Sequence, residues 1–326
     1  MNQEQFMRQY EPVWLELESI LNPSGRRRRA RGAGERIGDL PNLYRQACHH
    51  LALGRSRGYS PVLVRRLEHL VGGAQRLMYP PGRLSRSRIK RFLTTGFPAE
   101  VRANRSLVLL SALLFFVPLS LAFVAAHRDG AVIHAVMDAD SVERFEQMYA
   151  TPEGERVDPQ MEGQSDFFMF GYYIRNNTGI GFQTFAGGLI FGIGAVFFLV
   201  LNGFIIGAVA GHITGIGQGD AFWAFVAGHS ALELSAIVLC GSAGLRLGHA
   251  LIAPGRESRL LALRRNARPA GRIVAGAAVM FLLAAFVEAF WSPRPWPDPL
   301  VKIVAGLGMW ALVGLYFSRA GRDDAA

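Results

Sequence analysis

His229 and Glu233 stand four residues apart, so a helix through them puts an imidazole and a carboxyl on one face, a turn apart. That pair can close on itself as a hydrogen-bonded cluster, dock a partner, or hold a metal such as zinc. Glu288, His212 and the adjacent Asn176 and Asn177 also sit in or beside apolar tracts. A carboxyl inside a bilayer costs several kcal/mol, so each of these groups needs a reason to be there. The neighbouring sequence limits the chemistry. His229-Ser230-Ala231-Leu232-Glu233 is not a HExxH zinc motif, and neither a GxSxG nucleophile elbow nor a GxxxxGK[ST] phosphate loop occurs. Three readings of the polar group stay open: a structural cluster pinning helices, an outward-facing partner site, and a metal or hydrolytic centre.

The elements that must position these residues are membrane helices. The chain has 326 residues, 50% of them hydrophobic, and a formal net charge of +10. The mean hydropathy of +0.20 hides a split. Residues 1–105 carry 20 Lys/Arg against 8 Asp/Glu, and long apolar runs begin only afterwards. This pattern excludes a single soluble domain, and the apolar fraction excludes disorder. Two cysteines, Cys48 and Cys240, make no disulfide framework. No apolar segment of signal-peptide type opens the chain, so the basic part is expected to stay in the cytoplasm.

Residues 107–126 are uncharged over a length that spans the hydrocarbon core. The acidic stretch 128–177 follows, and basic loops stay inside, so the acidic loop is expected outside. The apolar tract 178–217 reads as a helical hairpin with its turn at Asn202-Gly203, giving crossings at 180–201 and 203–217, the second short enough to be re-entrant instead. Crossings at 229–252, 273–290 and 301–317 complete about six, with both termini cytoplasmic. This topology brings Asn176, Asn177, His229, Glu233 and Glu288 to one depth near the outer side. The expected fold is all-α: a polytopic membrane helix bundle at 106–326 after a small cytoplasmic helical domain at 1–105.

Gly203, Gly207, Gly211 and Gly215 repeat every four residues, a smooth stripe that lets backbones approach. It serves packing within the chain or a homodimer seam. Arg26, Arg27, Arg28 and Arg29 suit contact with anionic lipid headgroups, or form a solvated loop. In the N-terminal part, 3–22, 39–54 and 60–78 read as amphipathic helices, the last with Ser60 as N-cap and Pro61 at its first position. Nucleic acid is not expected as a partner, since aromatic interleaving and a binding motif are missing.

The sequence resembles the stage II sporulation protein M family of bacterial membrane proteins. The resemblance rests on Arg175-Asn176-Asn177 opening an apolar tract, Leu201-Asn202-Gly203 within it, the run Gly228-His229-Ser230-Ala231-Leu232-Glu233-Leu234, then Gly241 to Gly248, and Phe286-Val287-Glu288-Ala289-Phe290. A looser pattern of Trp14, Tyr44-Arg45, Leu51-Ala52 and Leu70-Val71 agrees. The resemblance implies an integral membrane protein without established enzymatic activity, catalytic residue, metal or cofactor. In spore formers the family member anchors peptidoglycan-degrading partners, and relatives elsewhere are encoded beside a MoxR-type AAA ATPase. The long basic N-terminal domain departs from the sporulation branch. The expected function is therefore a membrane scaffold with envelope or AAA-ATPase partners, homo-oligomeric if the glycine stripe is a seam. A small-solute transporter or channel using Glu233, Glu288 and His229 is the alternative.

Overall fold

A computed structural model describes residues 1–21, 39–78, 86–150 and 159–322, the side chains of 159–164 excepted. Every regular element among them is helical. The Arg26–Arg29 run lies outside the described residues. Two compact units divide the chain, Met1–Arg86 and Ser87–Ala326.

The first unit packs three helices, α1 (Gln3–Leu21), α2 (Leu40–Ser56) and α3 (Pro61–Met78). Their apolar residues recur every three or four positions, as Leu63, Leu67, Leu70 and Ala74 do in α3, so each helix offers one buried stripe. Phe6, Trp14 and Leu17 of α1 meet Leu43 and Ala47 of α2 in the shared core. Ser60 Oγ accepts from the Leu63 amide at 3.4 Å and starts α3. Trp14 Nε1 donates to His50 Nδ1 at 3.1 Å inside this core. Burial, and secondarily the neighbouring His49, lower the pKa of His50, so the imidazole there is held neutral.

The second unit opens with α4 (Arg86–Arg91), a π-helical turn (Phe92–Gly96) and α5 (Phe97–Ala103). Five long helices follow that have the length and apolarity to cross a membrane: α6 (Arg105–Arg128), α9 (Ile193–Gly215), α10 (Gly219–Ile252), α11 (Arg259–Phe290) and α12 (Pro299–Arg319). Between α6 and α9 lie a 3-10 turn (Gly130–Ala135), α7 (Ala139–Ala150) and α8 (Pro159–Ala186). α8 is less apolar, yet it packs along α10 and α11 inside the same bundle. Charge in α8 is confined to its first third and its centre, Glu162 and Asp166 preceding Arg175.

The unit that holds the bundle begins at Ser87 and so includes α5. Phe97 sits where a side chain at Gly276 of α11 would stand, and it packs with Tyr316 and Phe317 of α12. The segment 97–102, just before α6, is thus tied into the bundle. Glu100 holds Arg246 at 3.5 Å and Arg272 at 3.6 Å, and Arg102 donates to the carbonyls of Phe317 and Ala320. These contacts fix the start of α6 and the end of α12 at one end of the bundle.

The expected turn at Asn202-Gly203 is not there. Both residues lie inside α9, so 193–215 is one unbroken 23-residue helix and 203–217 is not re-entrant. The chain turns at 187–192 instead, where Phe191 and Gly192 have φ of 50° and 81°. The reason is the solvent. Within hydrocarbon an opened helix leaves unsatisfied amides, and Asn202 satisfies its own side chain by donating to the Phe198 carbonyl at 2.7 Å. The turn goes where Gly187, Gly188 and Gly192 permit tight backbone. A Cβ at Gly188 would collide with the Gly244 backbone.

The same argument accounts for the glycine stripe. A Cβ at Gly203, Gly207 or Gly211 would overlap the carbonyl oxygen of Phe115, Leu119 or Phe123 respectively, and Gly215 faces His127. The constant offset means that α6 and α9 run parallel, with their backbones in close contact along this seam. The stripe is therefore filled by the chain's own first long helix. α10 is the hub, packing against α6, α8, α9, α11 and α12. At roughly 51 Å it exceeds the ~30 Å hydrocarbon core, as α11 does. The extra length of α11 is its basic start, where Arg259, Arg264, Arg265 and Arg268 are already helical rather than loop.

Candidate functional site

The polar residues converge at the end of the bundle opposite Glu100. α10 carries His229 and Glu233 on one face, with Nε2 and the carboxyl 4.0 Å apart. α11 is antiparallel to α10 and brings Glu288 to the same level. One ligand atom from each of His229, Glu233 and Glu288 lies within 4.8 Å of the others. α8 supplies Asn177, whose Nδ2 donates to Glu288 Oε2 at 3.2 Å. Asn176 Nδ2 donates to Asn177 Oδ1 at 3.0 Å and so orients that amide from behind. His229, Asn177 and Glu288 are buried, and Glu233 is nearly so.

The closure of the site comes from residues that the sequence reading passed over. Ser292, just beyond α11, places its Oγ 3.2 Å from His229 Nδ1. Lys302, fully buried in α12, donates to the carbonyls of Ser292 at 3.0 Å and Arg294 at 2.6 Å. Arg294 pairs in turn with Asp166 in the N-terminal part of α8. Gly228 admits the Trp291 ring above His229, where any Cβ would collide with it. A signal for Lys302 was present: it is the one basic residue between Pro299 and Phe317 in an otherwise apolar helix. Ser292 had no such signal, because only the bend after α11 brings it back over α10.

His212 does not join this group. Its Nε2 lies 2.7 Å from Glu146 Oε1 of α7. The acidic segment 129–150 is thereby packed onto the bundle end through Ile133, Val142, Tyr149, Ile213 and Phe222. Asp138 begins α7 by accepting from the Ser141 amide and hydroxyl, and those bonds lower its carboxyl pKa. At the Glu100 end, an apolar cleft of about 480 Å³ opens between α11 and α12 beside Phe97, Met280 and Tyr316. Its walls present almost no polar group and so no chemistry.

A bundle of long apolar helices with exposed Leu, Ile, Val and Phe side chains suited to lipid defines an integral, multi-pass membrane protein. The chain belongs to the stage II sporulation protein M family: that family's model matches residues 111–293. A second model, a domain of unknown function (DUF8413), matches residues 4–80 and covers α1 to α3. Neither the curated proteins nor the solved structures contain a match to the chain.

Proposed function

We propose that this protein is a non-enzymatic scaffold of a bacterial inner membrane, with both termini in the cytoplasm. The observation that carries the reading is the pairing of two separately packed units. One is a three-helix unit with its own core, and the other is a membrane bundle with its own core, whose α6–α9 seam is filled by its own backbone. The helical unit would hold a cytoplasmic partner such as a MoxR-type AAA ATPase. The acidic segment and the Asn177/His229/Glu288 end would face envelope partners, cell-wall remodelling enzymes among them. Orientation follows from charge: the basic start of α11, Arg319 and the basic N-terminal part belong with the cytoplasm, and the acidic 128–177 stretch with the outside.

Gentle extraction of the full chain from native membranes under mild cross-linking tests this. Stoichiometric co-recovery of a hydrolase, an ATPase or another membrane protein supports the scaffold. Recovery of the chain alone sinks it. The transporter reading draws on the buried His229/Glu233/Glu288 group, and it requires water beside Glu233. A cysteine introduced next to Glu233 that labels with a membrane-impermeant thiol reagent would favour transport over a scaffold.

A further inference from the structure

We propose that His229, Glu233 and Glu288 form a binding site for a divalent transition metal of the zinc class. The inference does not depend on the scaffold reading.

Three observations converge. The first is the ligand set. One imidazole nitrogen and two carboxylate oxygens, from two packed helices, lie within 4.8 Å of one another. In a tetrahedral zinc site, ligand atoms about 2.0–2.2 Å from the metal are about 3.3–3.6 Å apart, so ligand pairs would close by up to about 1.5 Å through side-chain rotation, with no helix displaced. The i, i+4 spacing of His229 and Glu233 on α10 is the spacing that lets one helix face offer two ligands.

The second observation is what these groups do not do. His229 Nε2 and Glu233 Oε2 are 4.0 Å apart, beyond hydrogen-bond range. A purely structural cluster in a buried layer would be expected to close with short hydrogen bonds between its members. His229 is buried, with its Nε2 on the side of Glu233.

The third is the support behind the ligands. His229 Nδ1 meets Ser292 Oγ at 3.2 Å, and in the tautomer where Nδ1 donates, Nε2 presents its lone pair to the carboxylates. Asn177 Nδ2 steadies Glu288 Oε2 from the far side. Outer hydrogen bonds of this kind fix ring and carboxylate orientation at metal sites. Charge balance is compatible with the site: with both carboxyls ionised and the imidazole neutral the set would carry −2, which one divalent cation cancels.

The test uses the full-length protein in detergent with its affinity tag removed. After chelator treatment it is incubated with Zn2+, desalted, and its metal content measured. Near-stoichiometric zinc is expected in the wild type and in His212→Ala, which alters a histidine outside the triad. His229→Ala and Glu233→Gln should lose it, and Ser292→Ala should weaken zinc affinity about 10–100-fold. Should the ligand variants fail to fold, Co2+ added to the wild type gives an independent answer. A strong visible absorption band, displaced by Zn2+, marks a low-coordinate site. Wild-type protein that retains no zinc and shows no such cobalt band overturns the proposal. So does zinc retained equally by a folded His229→Ala variant.

Discussion

Single side chains in this protein are held by one or two specific bonds, so their removal should be measurable. Asn177→Ala leaves a buried Glu288 oxygen without its donor, at a cost of about 1–3 kcal/mol. A lower melting temperature in detergent is the expected readout. Lys302→Met removes the donor to two carbonyls and should lower melting more than Lys90→Met, which alters an exposed residue. His50 gives the N-terminal unit a pH dependence. Its folded pKa lies below the ordinary value, so as pH falls below about 6.5 the unfolded chain takes up a proton first and the folded state loses stability. Amide exchange in α1 and α2, corrected for intrinsic rates, should speed up between pH 7 and pH 5. His50→Gln keeps an acceptor for Trp14 and should abolish that dependence. An unchanged pH response in that variant would assign it elsewhere.

At the scale of elements, backbone proximity decides the arrangement more than side-chain bulk does. α6 and α9 are separated in sequence by the whole acidic segment, yet they run parallel with glycine against carbonyl. Gly207→Leu would wedge this seam apart. Overpacking of this kind costs typically about 1–3 kcal/mol, and more where the obstacle is backbone. Thermal stability and membrane accumulation should both fall. Gly314→Leu, at a position with open space around it, should be silent. The glycine seam is used inside the chain, so Gly207→Leu should act on folding and leave any self-association of the folded fraction unchanged. Equal stability of the two variants would show that α6 and α9 do not meet here.

At the scale of the whole molecule, the helix directions place Trp296 and Arg256 at opposite ends of the bundle. Trp296 is 82% exposed and follows α11, while Arg256 lies in the turn between α10 and α11. In a chain carrying Cys48→Ser and Cys240→Ala, a cysteine at 296 should react with an impermeant thiol reagent in intact cells. A cysteine at 256 should react only after permeabilisation. The reverse pattern would invert the proposed orientation.

The sequence by itself determined that the protein is an all-helical membrane bundle behind a helical N-terminal unit. Hydropathy and charge are summed properties of segments and need no tertiary contact to be read. It also supplied the polar residues His229, Glu233, Glu288 and Asn177, because ionisable groups stand out in apolar tracts. It misplaced the turn at Asn202-Gly203, since the actual turn, 187–192, is built of glycine and large apolar residues and looks like more span. Ser292 and Lys302 entered the site only through the fold. Which residues stand around His229 depends on how α10, α11 and α12 cross, and Gly306 lets α12 lie against the backbone of Ala227 in α10.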